Sequence, residues 1–248
     1  MNTAATQKPA VTPVQTRAGA TDRPNLYVPI HKALRSLMCD TLGRVGRLDV
    51  LDTDETVGTL NQVETLLAIC LDHIEHENSF MHTAIEARLP AGSTRTGADH
   101  AEHVETIAAL RDEVAALAAA RSEERTNLAL RLYRHLALFV ADNFQHMHIE
   151  ETANNAALWA HYDDTELLAL HGRLLASIAP HEHLTVARWM VPALDPAGRA
   201  AVMAGMRAGA PAEAFRAVVA VVRPHLDDAA WRKLAPAIGW AASVLPQP

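Results

Sequence analysis

Four stretches of this chain repeat apolar residues every three or four positions for several turns, a period that fits long amphipathic helices and does not fit strands. The first, helix A, runs from about Pro29, because proline suits a first helical turn, through Ile30, His31, Leu34, Met38, Thr41, Leu42 and Val45 to Gly46. Thr53 or Asp54 is the expected cap of helix B, with its stripe Val57, Leu60, Val63, Leu66, Leu67, Cys70, His73, Glu77, Phe80 and Ile85 ending at Leu89 and Pro90. Residues AGSTRTG read as a loop. Helix C then opens near Asp99 and carries His100, His103, Ile107, Leu110, Val114 and Leu117. After a charged turn, RSEERT, helix D runs from about Asn127 to about His161, with Leu128, Leu132, His135, Phe139, Asp142, His146 and Glu150 on one face.

Few aromatics and many alanines and leucines support an all-α fold with slim helix interfaces. The expected architecture is an up-down four-helix bundle with a C-terminal helical appendage. Residues 1–23, rich in Thr, Ala, Pro and Gln, read as a disordered tail, and 24–162 as the bundle. Residues 163–248, broken by Pro180, Pro192, Pro196, Pro211 and Pro224, read as a helical extension packed on it. The apolar runs Val218 to Val222 and Ala235 to Val244 can dock on the bundle or on a second subunit, so a homodimer stays open as an assembly.

A net charge of −7 and a pI near 6 argue against nucleic acid and anionic membrane as partners. No stretch approaches the roughly 20 apolar residues of a membrane span, and the first residues lack the apolar core of a signal peptide, so a cytoplasmic protein is expected. Cys39 and Cys70 both fall in apolar helical patterns and read as small core residues of a reducing compartment.

The chemistry lies on the helix stripes. Residues four apart on a helix share a face, so His73 with Glu77, and His146 with Glu150, can each grip one ion or bridge two. His31 on helix A and His103 on helix C face the same interior, and His100, about 60° from His103, is a further candidate. Imidazole with carboxylate suits iron, manganese or zinc, and a metal explains how carboxylates can lie in a core. His148 and His82 turn away from the cluster, and His76 competes with His73. Asp142, Glu151 and Glu75 flank ligand positions and can orient an imidazole through its second nitrogen. His161, His171, His181, His183 and His225 share no face with carboxylates and read as surface.

The pieces YVPIHKALR, LDHIEHENSF, DHAEHVETI and NFQHMHIEE, in that order over residues 25 to 160, resemble the hemerythrin-like family of HHE cation-binding domains. That resemblance implies an oxo- or hydroxo-bridged di-iron centre with Glu77 and Glu150 bridging and histidines terminal. It also implies binding of dioxygen or a related small ligand, nitric oxide or peroxide. Ferritin-like oxidases need Glu-x-x-His pairs, which helices B and D do not offer at the site. Three readings of the activity follow: a ligand-binding protein for sensing, storage or stress defence; a di-iron peroxidase or oxidase with Tyr27 as a proton donor; and a metal-stabilised regulatory module.

Overall fold

In a computed structural model that describes residues 23–240, the chain is all-helical, with no strand among the described residues. The expected disordered tail lies outside the described residues up to position 22, as does the end of the Ala235 to Val244 run from position 241. Helix α1 spans Val28–Gly46, with Pro29 in its first turn. Asn25 accepts from the amides of Tyr27 and Val28 and so quiets two free N–H groups at its start. α2, Thr53–His76, is capped by Asp52, one residue earlier than expected, whose side chain accepts from the Glu55 amide at 2.9 Å. It continues without a break through one turn of π-helix, Glu77–His82, into α3, Thr83–Arg88.

Two expected boundaries move. α4 spans Thr94–Ala119, starting inside the predicted loop, because the Glu86 carboxylate accepts from Ala91 N, Ser93 N and Ser93 Oγ and closes the turn early. α5, Ser122–Ile149, begins within RSEERT, where Glu123 and Glu124 favour a helix N-terminus over a turn. A second π turn, Glu150–Asn154, carries α5 into α6, Asn155–His161. After the capping box of Asp163 and Glu166 come α7, Asp164–Ser177, and α8, Pro180–Ala193. α9, Pro196–Gly209, α10, Ala212–Val222, and α11, Asp228–Ala237, complete the described chain.

α1 packs against α2 and α5, and α4 packs against the same two helices. Their stripes meet in a core that includes Leu34, Leu37, Met38, Leu66, Leu67, Leu110, Leu117, Leu132 and Leu136. Each leucine fully buried there is worth about 1.5–3 kcal/mol. A second apolar layer, built from Tyr27, Met81, Ile85 and Leu158, also takes Leu167 and Leu170 of α7, so the core does not end at residue 162. His31 falls between Tyr27 and Leu34, and Glu77 between Ile74 and Met81, which sets the polar residues between the two layers.

The remaining helices build a third core from Val191, Met203, Phe215, Val219, Val222, Trp231 and Ile238. Val218, Val219 and Val222 of the Val218 to Val222 run pack there. α8 lies against α1, and its Val186 and Trp189 reach the first core. Cys70 is buried as expected, but Cys39 is exposed, because it stands one residue past Met38 and is rotated about 100° off the inward stripe. No helix among the described residues is long and apolar enough to cross a membrane.

Candidate metal centre

The geometry of the site begins with the two HxxxE pairs. His73 presents Nε2 to Glu77 Oε1 at 3.3 Å, and His146 presents Nε2 to Glu150 Oε2 at 3.2 Å, each across one helical turn. Between the pairs stands His31, its Nε2 3.5 Å from Glu77 Oε1 and 3.4 Å from Glu150 Oε2. From α4, His100 Nε2 lies 3.3 Å from Glu77 Oε2 and 3.6 Å from Glu150 Oε1. The donor atoms fall into two groups, His31, His73, Glu77 and Glu150, and Glu77, His100, His146 and Glu150, so both carboxylates belong to both. Either group can hold a metal ion.

Burial makes this arrangement costly without a cation. His31 and Glu150 are fully buried, and Glu77 is 3% exposed. Yet all four carboxylate oxygens, with Nε2 of His31 and of His73, have no hydrogen-bond partner. Six buried, unpaired polar atoms converging on one place carry a desolvation cost that a shared cation would offset. His100 Nε2 and His146 Nε2 are 3.0 Å apart. Two imidazole nitrogens bonded at about 2.0–2.1 Å to one ion stand about that far apart when they subtend a right angle. The donor set therefore fits a metal on both charge and spacing.

The second nitrogens of His31, His100 and His146 have partners of their own, which fixes which nitrogen of those three rings faces the centre. His31 Nδ1 bonds Glu151 Oε1 at 3.1 Å, and Arg35 holds that carboxylate with two contacts of 2.5 and 3.1 Å. His100 Nδ1 bonds Asn78 Oδ1 at 2.8 Å, and His146 Nδ1 faces Asp99 Oδ2 at 3.3 Å. Glu151 takes the orienting role expected of an acid that flanks a ligand position. Asp142 instead bonds His103, because His146 turns its Nδ1 across to α4 rather than back along its own helix. Asn78, Asp99 and Arg35 had no signal beyond adjacency to the ligand positions. Glu75 and His148 are exposed.

Helix α4 offers two histidines, and the structure separates them. His100 turns its Nε2 into the cluster. His103 is buried but lies one layer out, its Nε2 on Asp142 at 2.9 Å and its ring edge-on to His146 with centroids 5.0 Å apart. His82 departs from expectation in the other direction: it is buried, stacked on His100 at 4.8 Å, with Nε2 bonded to Thr96 and 4.0 Å from Glu150 Oε1. In an α-helix five residues carry the chain about 140° past a full circle, which would send His82 away from Glu77. The π turn closes i→i+5 bonds, so the fifth residue returns over the first. Tyr27 is 1% exposed, with its ring 5.4 Å from that of His31.

Charge follows geometry. Burial depresses the His31 imidazole, but Glu150, Glu151 and Glu77 outweigh it and carry its pKa up to about 10. His100 is likewise pulled down by burial and raised, by Glu150 and Glu77, to about 9. His73 has no such excess and is pushed down by burial to about 4. Burial raises Glu150, yet His100, His146 and His31 hold it well below the usual carboxylate range. Glu77 is lowered too, with burial and Glu150 opposing and His73, His100 and His31 prevailing. Without a metal, protonated imidazoles supply the positive charge the carboxylates require. A metal ion would take over that role and release the protons.

Compared with models of protein families, with curated proteins and with solved structures, the chain matches none.

Proposed function

We propose that this chain is a hemerythrin-like, non-haem di-iron protein that binds dioxygen or a related small ligand, nitric oxide or peroxide, for sensing, storage or stress defence. In this reading α1, α2 with α3, α4, and α5 with α6 are the arms of an up-down four-helix bundle, and the later helices are its appendage. The observation that carries it is the sharing of Glu77 and Glu150 by two histidine pairs, His31 with His73 and His100 with His146. A single ion does not call for two carboxylates that each face both pairs.

Each ion would take two imidazole nitrogens and one oxygen from each bridging carboxylate, fewer donors than an octahedral ion accepts. Bound iron would supply an open position for a small ligand. The chain's own part is to orient and to exclude. Glu151, Asn78 and Asp99 fix the imidazole orientations, and Arg35 fixes Glu151. The apolar layers of Tyr27, Met81 and Leu158 on one side and Leu34, Leu66 and Leu110 on the other keep bulk water away. Imidazole and carboxylate also suit manganese and zinc, and the choice of iron rests on the family resemblance.

Elemental analysis of freshly purified protein, with electronic spectra taken reduced and then in air, tests the proposal. About two iron per chain and oxygen-dependent charge-transfer bands in the near ultraviolet are expected. Zinc in the site, or iron with no spectral response to air, would overturn the ligand-binding reading.

A further inference from the structure

Tyr27 sits one helical turn before His31, at the junction between the polar layer and the apolar layer of Met81, Ile85, Leu158, Leu167 and Leu170. Its backbone is held at both ends: the Tyr27 amide donates to Asn25, and its carbonyl accepts from the His31 amide at 3.0 Å. The side chain is 1% exposed, yet its hydroxyl has no hydrogen-bond partner. Asn154 is the polar side chain that bears on the phenol, but it makes no hydrogen bond of ordinary geometry with the hydroxyl and gives its own amide to Thr96. The carboxylates whose charge bears on the phenol are Glu77 and Glu150.

Polar tips elsewhere in the same layer behave differently. Tyr162 donates its hydroxyl to the Ala84 carbonyl at 2.7 Å, and Trp159 donates Nε1 to the Pro24 carbonyl at 2.8 Å. Those two side chains fill space and are satisfied. Tyr27 fills space equally well but leaves a donor unspent beside the centre, where phenylalanine would pack without that cost.

We propose that the Tyr27 phenol is the hydrogen-bond donor to a small anion, or to a diatomic with an acceptor lone pair, bound at the centre on its His31 side. This rests on the metal reading above. The phenol supplies the donor that the six ligand side chains, all accepting or ligating there, do not. It recognises the ligand by its acceptor atom and touches no metal.

The test uses the full chain loaded with ferric iron, as wild type and as Tyr27→Phe, titrated with sodium azide and followed by its charge-transfer absorption, with iron measured on the same samples. A hydrogen bond to a charged acceptor corresponds to a loss of about tenfold to a hundredfold in azide affinity. The expected result is equal iron content, that loss of affinity, and a metal-free melting temperature for Tyr27→Phe no lower than wild type. Equal azide affinity would overturn the proposal, as would a tyrosinate charge-transfer band present before azide and absent from Tyr27→Phe. Wild type without iron would instead remove the metal reading, and this proposal with it. Global replacement of tyrosine by 3-fluorotyrosine, a stronger donor, gives a check that needs no variant: azide should bind more tightly, and unchanged binding would contradict the proposal.

Discussion

Two cores of this molecule are made of helices of similar kind, and among the described residues only one of them has whole charged side chains in its interior. The core among α8 to α11 is apolar throughout, with Phe215, Val219, Val222, Trp231 and Ile238 at its centre. Between α1, α2, α4 and α5 an equally apolar core is interrupted by His31, Glu77, His100, His146 and Glu150, each no more than 3% exposed. Helix packing needs no such interruption, as the C-terminal core demonstrates. Burying these groups carries a desolvation cost that an apolar core does not, and the donor set they form can hold a metal ion. The π turns at Glu77–His82 and Glu150–Asn154 begin at the two carboxylates, so the irregular backbone falls at the same level.

The contrast between the cores can be broken by substitution. Glu77→Ala or Glu150→Ala should abolish loading of a metal pair and also lower metal-free stability by about 3–5 kcal/mol in urea denaturation, since buried protonated imidazoles lose their partner. Trp231→Ala should cost a similar amount, about 3–5 kcal/mol, while leaving metal content unchanged. Equal metal loss in both would mean that the cores are not functionally distinct. Glu151→Gln, which weakens the hold on His31 Nδ1 without touching the ligand set, should lower metal affinity by about tenfold to a hundredfold in a competition assay with a chelator.

Acidity gives a finer separation. His31 and His100, raised to about 10 and about 9, lie above their unfolded values near 6.5, so they stabilise the metal-free fold below that pH. That contribution is lost as pH rises through 9 to 10. His73, lowered to about 4, acts oppositely, and its contribution is lost as pH falls from about 6.5 through 4. Melting temperature against pH should therefore fall on the alkaline side for metal-free protein, and metal loading should flatten that limb because a ligated imidazole takes up no second proton. At the smallest end, His148→Ala on the exposed face of α5 should change stability by no more than about 0.5 kcal/mol and metal content not at all.

What could be read from the sequence was whatever regular helical geometry controls. The convergence of His73 with Glu77 and of His146 with Glu150 follows from the i, i+4 spacing, and His31 follows from its register with Leu34 and Met38. What escaped depends on local departures or on other helices. His82 is brought inward by a π turn that the apolar period does not announce. The difference between His100 and His103, both buried on α4, lies in the facing residues: Asn78 and His146 receive one, and Asp142 takes the other. The early start of α4 depends on Glu86 reaching across a turn, and the exposure of Cys39 on a single step of rotation from Met38. The place of α7 in the core around Tyr27 was hidden because its leucines carry no mark of which neighbour they meet.

Anomalous scattering at the metal edge from crystals of the metal-loaded chain separates a metal pair from every other arrangement. Two ions are expected, one between His31 and His73 and one between His100 and His146, with Glu77 and Glu150 each reaching both. A single ion, or ions bound elsewhere while these six side chains stand without metal, would contradict it.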